Sequence, residues 1–327
     1  MIMPENKLIQ RISLEKAKKK SVIILMAVIR TLIFLAVGFV VIYPLFYMIT
    51  TSFMGKNEFF NTERIWIPER TSILYNYGEA IKGLDYVNSL KNTVIYEIIS
   101  SCIEIAACAF TAYGLSRFKF KAKNFLLFVL FLTIIVPDIM VIIPRVGNYS
   151  KMDVLGIFWL FNKITGIDLR FSIMDTVWAF YLPSMLSVGL KSGMLIFIYM
   201  QFFKSLPYEL EEAAYIDGAG PYRTFFSIAL PSSGVVIITV SVFSLIWHWN
   251  DYLLCAMYLT ENYPLGKQIN MLRENLEAIG HISYFEYPET MAILMAGCIL
   301  FILPMLIFYI IVQHWFIESI DRVGITG

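Results

Sequence analysis

The sequence predicts an all-α membrane protein with six transmembrane helices, and two observations carry that prediction. Of 327 residues, 58% are hydrophobic and 16% charged, against roughly 45–50% and about 25% in soluble domains. The mean hydropathy is +0.68. Six windows also reach the roughly 20 apolar residues that a helix needs to cross a bilayer core of about 30 Å. They lie near 21–49, 90–114, 124–144, 177–203, 229–258 and 290–313.

The first window outruns a signal-peptide core of ~7–15 residues and reads as a retained span. The second carries Glu97 and Glu104, seven apart on one helical face. Pro44, Pro137, Pro183 and Pro304 interrupt the first, third, fourth and sixth windows. Such prolines are tolerated where neighbouring helices satisfy the freed backbone groups, so these are expected to be packed-bundle helices. The fourth window contains Lys191 inside Gly189-x3-Gly193, a spacing that lets helices approach closely. The fifth contains Trp247-His248-Trp249-Asn250-Asp251-Tyr252.

Orientation follows from the basic residues. Six stand in the tail 1–20 (Lys7, Arg11, Lys16, Lys18, Lys19, Lys20), and Arg117, Lys119, Lys121 and Lys123 crowd the loop after span two. The positive-inside rule puts both in the cytoplasm. Six spans then bring both termini and the loop 204–228 to that side. Segments 51–89, 145–176 and 259–289 fall outside. The chain reads as a single transmembrane domain, 1–327, with a basic tail (1–20) and a carboxyl tail (314–327). The basic tail also suits anionic lipid.

Several function classes drop out. A net charge of +1 gives no reason to expect a nucleic-acid partner. Cys102, Cys108, Cys255 and Cys298 sit in apolar runs without metal-ligand spacing, and are expected to act as small core hydrophobes. His248, His281 and His314 are too scattered for a catalytic cluster. No Gly-x4-Gly-Lys-Ser/Thr loop is present to cradle phosphates.

The informative stretch is 204–231. Ser205 suits a helix cap, with Leu206 and Pro207 in the first turn. Glu209, Glu211 and Glu212 favour the positive end of that helix. Ala213 and Ala214 keep its surface thin, and Gly218 suits a left-handed helix end. Gly220-Pro221 starts a second short helix, Tyr222 to Ile228, and Pro231 marks the start of the fifth span. The result is a helix–turn–helix projecting from the membrane.

Glu212-Ala213-Ala214, then Gly218, then Ile228-Ala229-Leu230-Pro231 resemble the EAA coupling loop of ABC-importer permeases. Ile216-Asp217-Gly218-Ala219 is closest to the carbohydrate-uptake branch, of the kind represented by the second permease subunit of maltose import. Asn76-Tyr77, Asn88-Ser89, Ala112-Tyr113-Gly114-Leu115-Ser116-Arg117 and Trp249-Asn250-Asp251-Tyr252 extend the likeness over about residues 25–327. The resemblance implies a multi-pass subunit of a bacterial or archaeal cell membrane that is not itself an enzyme. It implies a second permease subunit as heterodimer partner, two ATPase subunits that bind ATP and magnesium, and an extracytoplasmic solute-binding protein delivering sugar. No cofactor is implied on this chain. Glu211, Glu212, Ala213, Ala214, Asp217, Gly218, Ala219 and Pro231 would couple it to the ATPase. The tail from Gln313 to Gly327 would reach the ATPase interface or fray.

Candidate substrate-path residues are Trp247, Trp249, Asn250, Asp251 and Tyr252, which offer flat aromatic faces and planar polar groups. Ionisable residues within spans are costly and therefore add Glu97, Glu104 and Lys191, for which an ion pair or a permease contact is the competing role. Trp249 stands eighteen residues beyond Pro231, roughly 27 Å along a helix, in the outer half. A polyol or glycerol phosphate is the alternative cargo. An ion-driven secondary transporter would call for an internal repeat with broken helices, and an embedded enzyme for a nucleophile–base or metal set.

Overall fold

The computed structural model describes residues 5–55, 58, 71–153, 156–280 and 287–324, with side chains described within 18–280 and 290–315. Among these residues the chain is helical, and its only extended pairings are isolated bridges between Met54 and Thr71 and between Met152 and Phe171.

α1 (Glu5–Phe53) is a single helix of 49 residues. The tail expected at 1–20 is therefore helical from Glu5, because its Leu, Gln, Glu, Lys and Arg are strong helix formers and nothing interrupts them. Lys18–Phe53 is long and apolar enough to cross a membrane, and its apolar side chains are largely exposed. α2 (Ile73–Gly83) closes the far end of α1: the buried Asn76 amide donates to the carbonyls of Ser52 and Met54 at 2.8 and 2.9 Å. α3 (Tyr86–Asn92) runs through a π-helical turn, Thr93–Ile98, into α4 (Ile99–Arg117), giving a 32-residue candidate span.

α5 (Lys123–Ile135) and α6 (Asp138–Ser150) meet at 106°. Pro137 forces Val136 into extended backbone, so the window 124–144 folds as two arms. α7 (Ile157–Thr165) lies in the segment 145–176 between left-handed Gly156 and Gly166. Its first turn is held by the Asp153 carboxylate, which accepts from Phe158 and Trp159 N–H at 2.9 and 2.7 Å.

The window 177–203 is also broken, into α8 (Trp178–Met185) and α9 (Ser192–Ser205). Ser187 and Lys191 adopt positive φ in the break. Lys191 thus sits at the start of α9, in the break, and not inside a continuous helix. Both glycines of Gly189-x3-Gly193 mark close approach, but to different helices. A Cβ on Gly189 would meet Glu104 of α4 at 2.7 Å, and one on Gly193 would strike Thr133 and Ile134 of α5.

The loop segment contributes α10 (Glu209–Ile216), α11 (Pro221–Thr224), a π turn (Phe225–Ala229) and α12 (Leu230–Ser232). A 79° bend separates it from α13 (Gly234–Trp249), so that helix begins three residues after Pro231. α14 (Leu253–Tyr258), α15 (Leu265–Asn270) and α16 (Leu272–Ala278) follow. α17 (Tyr287–Gly324) carries the expected carboxyl tail on as helix; residues 325–327 lie outside the described ones, as do 59–70 and 281–286 of the segments expected outside. Three described helices are long and apolar enough to span a membrane, and counting each bent pair as one span brings the number to five.

α4, α9 and α13 form the central core, where Cys108, Ala109 and Ala112 let Leu195, Tyr199 and Val240 pack closely. The four cysteines are free but not all core hydrophobes: Cys102 is exposed, and Cys255 donates to a buried carboxylate.

Candidate functional site

Two groups of residues stand out at opposite ends of α13. The first is the loop. Ser205 does not cap α10; it ends α9, with its hydroxyl on Phe202 O at 2.8 Å, because Pro207 separates the helices and Tyr208 takes the cap position. Glu209, Glu211 and Glu212 do occupy the first turn of α10. Gly218 has φ +79° and closes a Schellman end: its N–H bonds Tyr215 O at 3.1 Å and Ala219 N–H bonds Ala214 O at 2.9 Å. No atom of the described residues lies within 4 Å of a Cβ built there, so the requirement for glycine is conformational.

Two neighbouring acids point opposite ways. Glu211 is buried and forms an ion pair with Arg117 of α4, Oε1 to Nε at 2.9 Å, close but not aligned as a hydrogen bond. Arg117 also donates from Nη2 to Leu206 O at 2.7 Å, and its guanidinium lies 4.9 Å from the Tyr208 ring centre. Burial raises the Glu211 carboxyl above its ordinary value, and Arg117 pulls it partly back. Glu212, Ala213, Asp217 and Gly218 face outward, with Ala214 buried beneath them. Ile216, at 86% exposed, crowns the tip. The second half of the loop is anchored by Tyr222 stacked on Phe110 at 6.0 Å, and by Phe225 packed on Tyr113 at 5.0 Å. Pro231 is exposed in α12. The loop is thus a polar and apolar tip held rigidly to α4. Arg117 was legible only as part of a motif, and its pairing with Glu211 had no sequence signal.

At the other end of α13, Trp247, Asn250, Asp251 and Tyr252 line a cavity of about 330 Å³ together with Asp138, Arg145 and Lys191. Lys191 Nζ pairs with Asp138 at 2.7 Å. Trp247 stacks on Phe243 at 5.6 Å, and Lys267 lies 5.1 Å from the Tyr252 ring. Trp249 does not share this wall. It is 5% exposed, donates to Phe301 O at 3.2 Å and belongs to a second core with Leu265 and Leu272. The reason is helical phase: two residues on from Trp247 is close to the opposite face.

Glu97 and Glu104 do share one face, but they are fully buried and turned onto His248. His248 Nδ1 is 2.9 Å from Glu97 and Nε2 2.8 Å from Glu104, which also takes the Ser192 hydroxyl. His248, flanked by Trp247 and Trp249, therefore ties α13 to α4 and the π turn before it. The seven-residue spacing of the two acids was the available clue, since one imidazole bridges just such a pair.

A family model described as binding-protein-dependent transport system inner membrane component matches residues 105–322. The chain belongs to this family. It is a transmembrane permease subunit of an ABC importer, a transport subunit and not an enzyme. The permease is 28% identical to a probable starch degradation products transport system permease from Thermoanaerobacterium thermosulfurigenes, over 85% of this chain and 89% of that one. It is 30% identical to a putative ABC transporter permease from Caldicellulosiruptor, over 87% and 91%. It is 24% identical to an sn-glycerol-3-phosphate transport system permease from Yersinia pestis, over 86% and 90%. Its fold matches a chain in the crystal structure of a bacterial ABC transporter that imports the acidic polysaccharide alginate, with TM-score 0.66, 17% identity, and 89% and 96% coverage.

Proposed function

We propose that the permease forms one half of the path of a sugar importer, with oligosaccharides as its cargo, and that its loop 204–228 seats in an ATPase subunit on the cytoplasmic side. The observation that carries this reading is the loop: an outward tip of Glu212, Asp217, Gly218 and Ile216 on a base locked by Arg117 and Glu211. A motor that closes on the tip would move α4 and α9 with it, because Tyr113, Phe203 and Phe225 pack as one unit. ATP and magnesium belong to two ATPase subunits, a second permease completes the path, and a solute-binding protein delivers cargo at the far end. Six spans with both termini cytoplasmic suit the basic residues near both loop-side ends.

Sugar is favoured by the relative named for starch degradation products and by the Trp247 and Tyr252 rings beside Asn250 in the cavity. Aromatic faces pack on sugar C–H surfaces while the amide serves hydroxyls. Arg145 in the same wall, and the glycerol phosphate relative, favour an anionic solute as the second reading. ATP-driven uptake by the reconstituted transporter tests the assignment. Glu212→Ala is expected to leave assembly intact and uncouple hydrolysis from uptake; wild-type uptake by that variant would remove the loop's proposed role.

A further inference from the structure

Glu97, Glu104, His248, Asp251 and Cys255 are all buried where the π turn before α4 meets the end of α13. Most of their polar atoms have partners. Cys255 Sγ donates to Glu97 Oε1 at 3.0 Å, and Asp251 Oδ1 accepts from Leu254 N–H at 3.0 Å. Asp251 Oδ2 is the exception, buried with no hydrogen-bond partner among the described residues. That unpartnered oxygen marks where a cation would complete the cluster.

A carboxylate oxygen of Asp251, one of Glu97 and the Cys255 sulfur all lie within 4.8 Å of one another. We infer that Glu97, Asp251 and Cys255 bind one thiophilic divalent metal ion of the zinc class. A thiolate in the set selects against magnesium and calcium. Zinc holds sulfur at about 2.3 Å and carboxylate oxygen at about 2.0–2.2 Å, which puts tetrahedral neighbours roughly 3.6 Å apart. Side-chain adjustments on the order of 1 Å reach that geometry. His248, bonded to the other oxygen of Glu97, holds that ligand in place from behind. Asp251 also lines the cavity, which supplies the ion's route in and leaves a fourth position for water.

Binding is an exchange without redox change. The Cys255 thiol proton and any proton on the Asp251 carboxyl leave to solvent, and the thiolate and two carboxylates then carry three negative charges against two on the metal. The remaining charge faces His248. Ligands from the π turn (Glu97), the break after α13 (Asp251) and α14 (Cys255) make the ion a clamp between α4 and the α13–α14 junction. This site does not depend on the identity of the transported solute.

The test uses the full chain purified with its co-assembling subunits, stripped by chelator and titrated with cobalt(II), then zinc(II). The expected result is a thiolate-to-cobalt charge-transfer absorption that saturates near one ion per chain and is bleached by zinc. Cys255→Ser abolishes it, Cys102→Ser and Cys298→Ser keep it, and Asp251→Asn weakens cobalt binding at least tenfold. A wild-type protein without that absorption overturns the inference, and this readout does not depend on any variant folding. So does a band that persists in Cys255→Ser, or cobalt displaced by magnesium as readily as by zinc.

Discussion

Replacing Arg117 with methionine leaves the buried Glu211 without its cation. Both side chains are almost sealed, at 4% and 3% exposed, and breaking such a pair from one side typically costs about 3–5 kcal/mol. An independent limit comes from the carboxylate itself, which can escape by taking up a proton. From an ordinary value of 4.5 to pH 7 is two and a half units, at about 1.36 kcal/mol each, so neutralisation caps that part near 3.4 kcal/mol. Losing the Arg117 bond to Leu206 O adds on the order of 1.5–3 kcal/mol. Glu211→Leu costs less, because Arg117 keeps Leu206 O and the Tyr208 ring. The double variant should recover much of the loss, with a coupling of roughly 2–3 kcal/mol. Hydrogen exchange of amides 209–216 in the assembled transporter reads this local stability. Additivity of the two single variants within about 0.5 kcal/mol would refute the pair's structural role.

The same acid sets a pH dependence. Because burial raises the folded Glu211 value, its contribution to docking the loop is full below the ordinary carboxylate value of 4.5 and is lost as pH rises through the raised one. Exchange protection of α10, corrected for intrinsic rates, should fall over that window in the wild type and stay flat in Glu211→Gln. Gly218→Val should cost about 1–2 kcal/mol through its left-handed backbone alone, with Gly218→Asn milder; the ratio of uptake to ATP hydrolysis in proteoliposomes measures the consequence. Trp249→Ala should lower the yield of folded protein, since truncating a buried aromatic costs about 3–5 kcal/mol. Trp247→Ala should instead preserve yield and lower uptake, and size-exclusion profiles beside transport rates separate the two.

The loop was the most legible part of the chain because its constraints are local. A left-handed helix end needs glycine, acids favour a first turn, and both can be read in a short stretch. The buried acid was harder to choose. Glu211 and Glu212 are chemically alike, and only the position of Arg117 at the end of α4 decides which one turns inward. The six windows predicted apolar helix but not its interruptions. Pro137 bends one window by 106°, while the break around Lys191 owes its shape to residues in positive φ that carry no glycine signal. Trp249 looked like its neighbour Trp247, yet the helix phase sends one to the core and the other to the cavity. The links from His248 to Glu97 and Glu104, and from Cys255 to Glu97, join residues far apart in the chain, which periodicity within one span cannot reveal.

The central claim is that this permease works only with a motor on another polypeptide. Affinity purification of the chain from its native membrane in gentle detergent, with mass spectrometry of what accompanies it, tests that most directly. The account predicts a second permease and an ATPase carrying a phosphate-binding loop, the ATPase lost and the second permease kept when the loop tip is altered at Glu212 and Gly218 together. Recovery of the chain alone, or only as a homo-oligomer, would contradict it.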